Sequence, residues 1–229
     1  MTNPTLLTLR LEGPLQSWGL RSKWDYRDTG REPSKSGIIG ILGCALGYPR
    51  NDKRLEEELN KSLRIGVREE LQGNITMDYH IIRGKKLKAD GSMFKNTHSI
   101  VTRRYYLEDS AFLVVILGPE ELLKKCVMAL KDPIWVTYLG RKSCPPTRPI
   151  YEDLTNKYAS IDNALKYIPW DPEVKIRDPP LKLRCILEDI NGTLTRLDNF
   201  RVNPSRSYEF RRVTEYWIQT PKIPTNIEV

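Results

Sequence analysis

Apolar positions open the chain in a short run: Thr5 to Leu11 reads TLLTLRL and meets the turn signal Glu12-Gly13-Pro14, which predicts a strand ending there. Residues 15–33 carry no period and interleave Trp18, Trp24 and Tyr26 with Arg21, Lys23, Arg27 and Arg31. A helical period then begins at Pro33-Ser34-Lys35-Ser36, with Ser34 the predicted N-cap and Gly47-x-Pro49 the stop. A second helix is predicted from about Asp52, with Leu55, Leu59 and Leu63 on one face. Strands are predicted over 64–70, 77–83, 100–107 and 112–117, and a helix from Pro119 carries Leu122, Leu123, Cys126, Val127 and Leu130. Ile134–Tyr138 reads as a further strand, and a proline-rich loop, 139–149, follows it.

The order strand, helix, strand, strand, helix, strand is that of a ferredoxin-like (RRM-like) βαββαβ unit, an α+β fold with helices on one face of an antiparallel sheet. Beyond Asp153 the pattern changes to a short helix near Ser160–Tyr167, a strand over 181–188, an Asn191-Gly192 hairpin with its return strand 193–197, and a last strand over 208–218. We therefore divide the chain into residues 1–150, the ferredoxin-like domain, and 151–229, a β-rich C-terminal appendage.

Three glycines at every third position (Gly37, Gly40, Gly43) sit inside the first helix. Each costs about 1 kcal/mol relative to alanine, so their placement predicts that another backbone approaches that face.

The 229 residues carry 37 Lys+Arg against 29 Asp+Glu, a formal charge of +8, which favours a polyanionic partner over an acidic one. No apolar run is long enough for a membrane helix, and the N-terminus lacks the charge and apolar core of a secretion signal. Four scattered cysteines (Cys44, Cys126, Cys144, Cys185) read as reduced, mostly buried thiols of a cytoplasmic protein.

The charge is local. Residues 83–104 hold Arg83, Lys85, Lys86, Lys88, Lys95, Arg103 and Arg104 against one acid, Asp90, six of the net +8. With two glycines, and Met93, Phe94 and His98 as apolar surface, this excursion reads either as a solvated face or as a finger that tracks a phosphate backbone. Two further basic elements are the loop Tyr138-Leu139-Gly140-Arg141-Lys142-Ser143-Cys144-Pro145-Pro146 and the stretch from Arg201 to Arg212, with five basic residues from Arg196 onward against two acids.

Catalytic signals are thin. The two histidines, His80 and His98, have no metal-ligand spacing, and no phosphate-binding or nucleophile motif or other cofactor signature is present. Lys95 and His98 are the residues available for metal-free RNA cleavage, which needs only a base for the 2′-OH and an acid for the leaving group.

Five stretches carry a resemblance: RLEGPLQSWG (10–19), TGREPSKSGIIGILGCALG (29–47), DYH (78–80), YYLEDSAFLV (105–114) and YLGRKSCPPTRPIY (138–151). In this order they resemble the CasD family, the Cas-five-type subunit of the type I-E CRISPR surveillance complex, Cascade. The resemblance spans the first ~150 residues and is looser beyond them, chiefly around Arg206-Ser207-Tyr208.

It implies a non-catalytic, cytoplasmic, antiviral-defence subunit that caps the backbone, binds the 5′ handle of the crRNA, and joins the repeated backbone subunit to the large PAM-reading subunit, touching target DNA indirectly. Base pairing by the guide then reads sequence while the protein holds shape and ends. A basic thumb at about 78–106 is implied, with His80, Arg83, Lys85, Lys86, Lys88, Met93, Phe94, Lys95, His98, Arg103 and Arg104 touching RNA or a neighbouring subunit.

The implied handle contacts are the Gln16-Ser17-Trp18 turn, the helix start Ser34-Lys35-Ser36-Gly37 as a phosphate seat, and Tyr138, Arg141, Lys142, Ser143 and Cys144, with Arg27, Arg31 and Arg206. Trp18 either stacks on a base or is buried. A repeat-cleaving endoribonuclease, as in type I-C systems, is the alternative.

Overall fold

A computed structural model describes residues 3–19, 23, 25–83, 90–92, 99–172, 178–202 and 207–221. Its strands are β1 (Leu6–Gln16), β2 (Tyr26–Arg27), β3 (Arg64–Leu71), β4 (Asn74–Ile82), β5 (Ile100–Leu117), β6 (Tyr151–Thr155), β7 (Lys182–Glu188), β8 (Leu194–Arg201) and β9 (Ser207–Gln219). The helices are α1 (Lys35–Ala45), α2 (Glu120–Lys131) and α3 (Ile161–Tyr167), and a π-helical turn covers Leu55–Asn60 where the longer second helix was predicted.

The strands form one mixed but mainly antiparallel sheet ordered β6-β1-β5-β3-β7-β9-β8, with β2 and β4 paired to the first half of β5. The C-terminal strands continue this sheet through β3 and β7.

Alternation in β1 and β5 supplies two cores. Leu7, Leu9, Leu11, Phe112, Val114 and Ile116 face a cluster completed by α1 and α2, while Leu6, Leu113 and Val115 face α3 and the C-terminal strands. These side chains are at most 1% exposed, so truncating one Leu to Ala costs about 2–5 kcal/mol. The second core is held by ions as well as by apolar contacts. Arg68, wholly buried, pairs with Glu70 at 2.6 Å and donates to the carbonyls of Leu165 and Ile168, two of the acceptors left unpaired where α3 ends.

Three sequence expectations change. β1 runs through the predicted turn to Gln16: its register with β5 is the same on both sides of Pro14, from Gly13–Ser110 to Leu15–Glu108, and Asp109, at φ +51°, stands opposite Pro14, which has no N–H to donate. The strands predicted at 100–107 and 112–117 are one 18-residue strand. Ile134–Tyr138 is not a strand: the edge of β1 it would have joined pairs with β6, from Leu6–Thr155 to Leu9–Tyr151. The displaced segment lies outside the core as a loop, its Ile134 N–H bonded to the Ala45 carbonyl at the end of α1.

Candidate nucleic-acid interface

The turn after β1, the start of α1 and the loop at 138–144 converge on one cleft of about 450 Å³, lined by Ser17, Trp18, Ser34, Ser36, Gly37, Gly40, Tyr138 and Gly140 among others. The convergence has a backbone cause. Ser17 N–H donates to Leu139 O at 3.0 Å, and Gly140 sits beneath it at φ +87°. A Cβ at 140 would lie 1.7 Å from the Ser17 carbonyl oxygen, so only glycine lets the two turns touch.

The glycine face of α1 divides by neighbour. A Cβ at 37 would meet the Trp18 ring at 2.9 Å and one at 43 would meet Leu55 at 2.3 Å, whereas at Gly40 nothing lies within 4 Å. The expected backbone approach is therefore not made among the described residues; Trp18 and Leu55 side chains account for two glycines, and Gly40 opens onto the cleft.

Several of the residues expected at the RNA are engaged within the chain. Trp18 is 1% exposed and its indole N–H donates to Gln16 Oε1, while Gln16 Nε2 donates to Ser110 O and Leu11 O. Of the two fates expected for Trp18, burial is the observed one. Lys35 is 3% exposed, its ammonium 2.9 Å from Glu188, and its backbone N–H donates to Asp198. Burial pushes its pKa down, and Glu188 pulls it partly back. The phosphate expected beside Lys35 is thus replaced by the carboxylate of Glu188.

Ser34 caps α1 by accepting the Gly37 N–H, so the first-turn amides of Lys35 and Gly37 are both taken within the chain. Arg141 lies over the Tyr106 ring at 4.7 Å and donates to the carbonyls of Arg27 and Asp28, anchoring the loop to β2. Cys144 is buried and shares backbone bonds with Leu139 and Arg141.

What remains outward is Lys142, Ser143 and Arg31, with Tyr138 half-buried in the cleft wall. The basic C-terminal stretch is largely paired: Arg196 with Glu32 and Glu215, Arg201 with Glu209, and Arg211 with Asp198. Arg206 lies outside the described residues.

A second candidate surface is the ribbon of β4 and the first half of β5, paired from Asn74–Glu108 to Ile82–Ile100. Ile75, Met77, Tyr79 and Ile81 alternate onto one face and are 43–51% exposed, in register with Arg103 and Tyr105. The opposite face carries Asp78, His80, Thr102 and Arg104; His80 Nε2 lies 2.5 Å from Asp78, and Arg104 Nε donates to Thr102. Arg83 and Arg103 are exposed. Lys85, Lys86, Lys88, Met93, Phe94, Lys95 and His98 lie outside the described residues.

No group of three or more His, Cys, Asp or Glu fit to hold a metal ion occurs among the described residues, and no described helix is long and apolar enough to cross a membrane. The cysteines are unpaired, three buried and Cys44 half-buried.

The sequence reading missed Tyr48, Arg50, Trp135 and Phe200, which also line the cleft. Trp135 was legible only as a strand residue, and Tyr48 and Arg50 only as neighbours of a helix stop.

The chain matches, over residues 6–219, the family model described as CRISPR-associated protein (Cas_Cas5). It is 35% identical to the CRISPR system Cascade subunit CasD of Escherichia coli (strain K12), over 63% of this chain and 69% of that subunit. It is also similar to a chain of a CRISPR RNA-guided surveillance complex, with TM-score 0.75 and 29% identity over 94% of this chain and 91% of the other. A crystal structure of a Cas protein superposes with TM-score 0.70 and 32% identity, over 96% of this chain and 99% of the other.

Proposed function

The chain belongs to the Cas5 family of CRISPR-associated proteins, and from that premise we propose that it is a non-catalytic subunit of a Cascade-type surveillance complex that binds and caps the 5′ handle of the crRNA. The observation that carries this reading is the cleft itself. Three of the five segments that resemble CasD (10–19, 29–47 and 138–151), far apart in sequence, meet around it, and no Asp or Glu among the described residues lines it while Arg50 stands at its margin and Lys142 on the adjoining loop. Such a site suits a phosphate-bearing, partly unstacked strand.

The elements β1, α1, β3, β5, α2 and β6, with strand order β6-β1-β5-β3, form a ferredoxin-like unit in this reading, which moves its boundary from residue 150 to the end of β6 and leaves residues 156–229 as its appendage. The β4–β5 ribbon is the root of the thumb. Its exposed apolar face docks on the repeated backbone subunit, and its exposed Arg83 and Arg103 follow the RNA. The complex acts in the cytoplasm, where this subunit also meets the large PAM-reading subunit and target DNA indirectly.

The test is binding and cleavage of labelled CRISPR repeat RNA by the purified full-length chain in EDTA, beside an unrelated RNA. Selective binding with the RNA left intact supports the proposal. Specific cleavage, abolished by His98→Ala, would replace it with a metal-independent endoribonuclease using Lys95 and His98.

A further inference from the structure

The loop that was expected to be a strand has a use. Trp135 is 45% exposed, yet its backbone is tightly held: the Cys44 thiol lies 3.6 Å from Trp135 O and 3.4 Å from Val136 O, and Ile134 packs over Gly47 while bonding to Ala45 O. A large, half-exposed indole with only two side-chain torsions, carried on a held backbone, has little conformational entropy to lose on binding a flat ligand.

Trp135 and Tyr138 line two adjoining cavities at once. On one side is the 450 Å³ cleft over Gly40; on the other is a cavity of about 550 Å³ bounded by Val136, Pro145 and Lys142. Both volumes fall within the range of small-ligand sites. Neither lining contains a carboxylate, and Lys142 and Arg50 form no ion pair among the described residues. Aromatic walls with uncompensated cations beside them complement an unpaired nucleotide better than they do an apolar peptide.

Resting on the handle-binding reading, we propose that Trp135 and Tyr138 divide two successive nucleobases of the bound RNA, one seated over Gly40 and the other against Val136 and Pro145. Lys142 takes the phosphate beside the second base. Gly40 is the residue that keeps the first seat open. Its missing side chain would meet only empty space, so its conformational cost in a helix is spent on room for a ring and not on packing within the chain.

The experiment uses the full-length chain and its repeat RNA carrying one 4-thiouridine at a time, irradiated and mapped by mass spectrometry, with binding of Gly40→Leu, Trp135→Ala and Trp135→Phe in parallel. Two adjacent positions should cross-link to the 135–138 segment and to α1. Gly40→Leu and Trp135→Ala should bind about tenfold more weakly, within the range of one lost base stack, and Trp135→Phe should recover most of that loss. Gly40→Leu should melt at or above the wild-type temperature, which separates a filled seat from a damaged fold. Selective RNA binding with cross-links elsewhere and both variants at wild-type affinity would overturn the two-seat inference and leave handle binding standing. A wild-type chain that does not prefer repeat RNA would overturn both.

Discussion

Lys35→Ala separates an architectural lysine from an RNA-binding one. The side chain is 4% exposed and its ammonium lies 2.9 Å from Glu188, whose own side chain is 19% exposed. Removing one partner of a buried pair costs about 3–5 kcal/mol when the survivor is left uncompensated. Here Glu188 retains some solvent and still accepts the Ile65 N–H, and burial already outweighs Glu188 in setting the Lys35 pKa, which places the loss near 2–3 kcal/mol. At about 2–4 °C per kcal/mol for a chain of this size, the melting temperature should fall by about 5–10 °C. The assay pairs thermal unfolding by circular dichroism with RNA binding from 50 to 300 mM salt at 25 °C, where the variant remains folded. The salt slope should match wild type. An unchanged melting curve with a slope shallower by about one phosphate, roughly 0.7 on a single strand, would refute the clamp and return Lys35 to the RNA.

The reciprocal result is expected of Lys142→Ala, an exposed cation on the anchored loop: melting within about 1 °C of wild type and a salt slope shallower by roughly 0.7, with an unchanged slope removing the loop from the interface. Met77→Asp with Tyr79→Asp places charge on the exposed apolar face of the β4–β5 ribbon; the isolated chain should melt as wild type while co-purification with the repeated backbone subunit drops at least tenfold, and intact assembly would count against docking there. Burial raises the pKa of Cys126 to about 11 and of Cys185 to about 12, so both should resist a thiol reagent at pH 8 until the chain unfolds, while half-buried Cys44 reacts first. These thiols stay protonated in the fold at pH values where the unfolded chain ionises. Stability should therefore fall as pH rises above their ordinary value of 9.0, and replacing both with Ser should flatten that decline in a urea titration series.

Local pattern revealed most elements because it reports local energetics. Ser34 could be recognised as a cap, and the run Phe112–Leu117 as a buried strand, from the residues themselves. Ile134–Tyr138 shows where that stops. Its apolar run is that of a strand, but strand status needs a free sheet edge, and β6 occupies the edge of β1. The same logic sorts the charges. Arg141, Lys142 and Lys35 are equivalent as letters, yet one is bound to carbonyls and a ring, one is exposed, and one is enclosed with Glu188. Pairing partners 150 residues away decide a cation's availability, and spacing along the chain cannot display them.

Family, charge balance, the concentration of positive charge at 83–104 and the motif segments around the cleft were therefore properties of the chain alone, since each is composition or short-range order. Tertiary structure decided which face of α1 stays open, which aromatic residue is buried and which is offered, and where the two cavities meet. Those outcomes depend on packing between segments distant in sequence, Trp18 against Gly37, Ser17 over Gly140 and Cys44 beneath Trp135, whose energies arise only when the sheet brings them together.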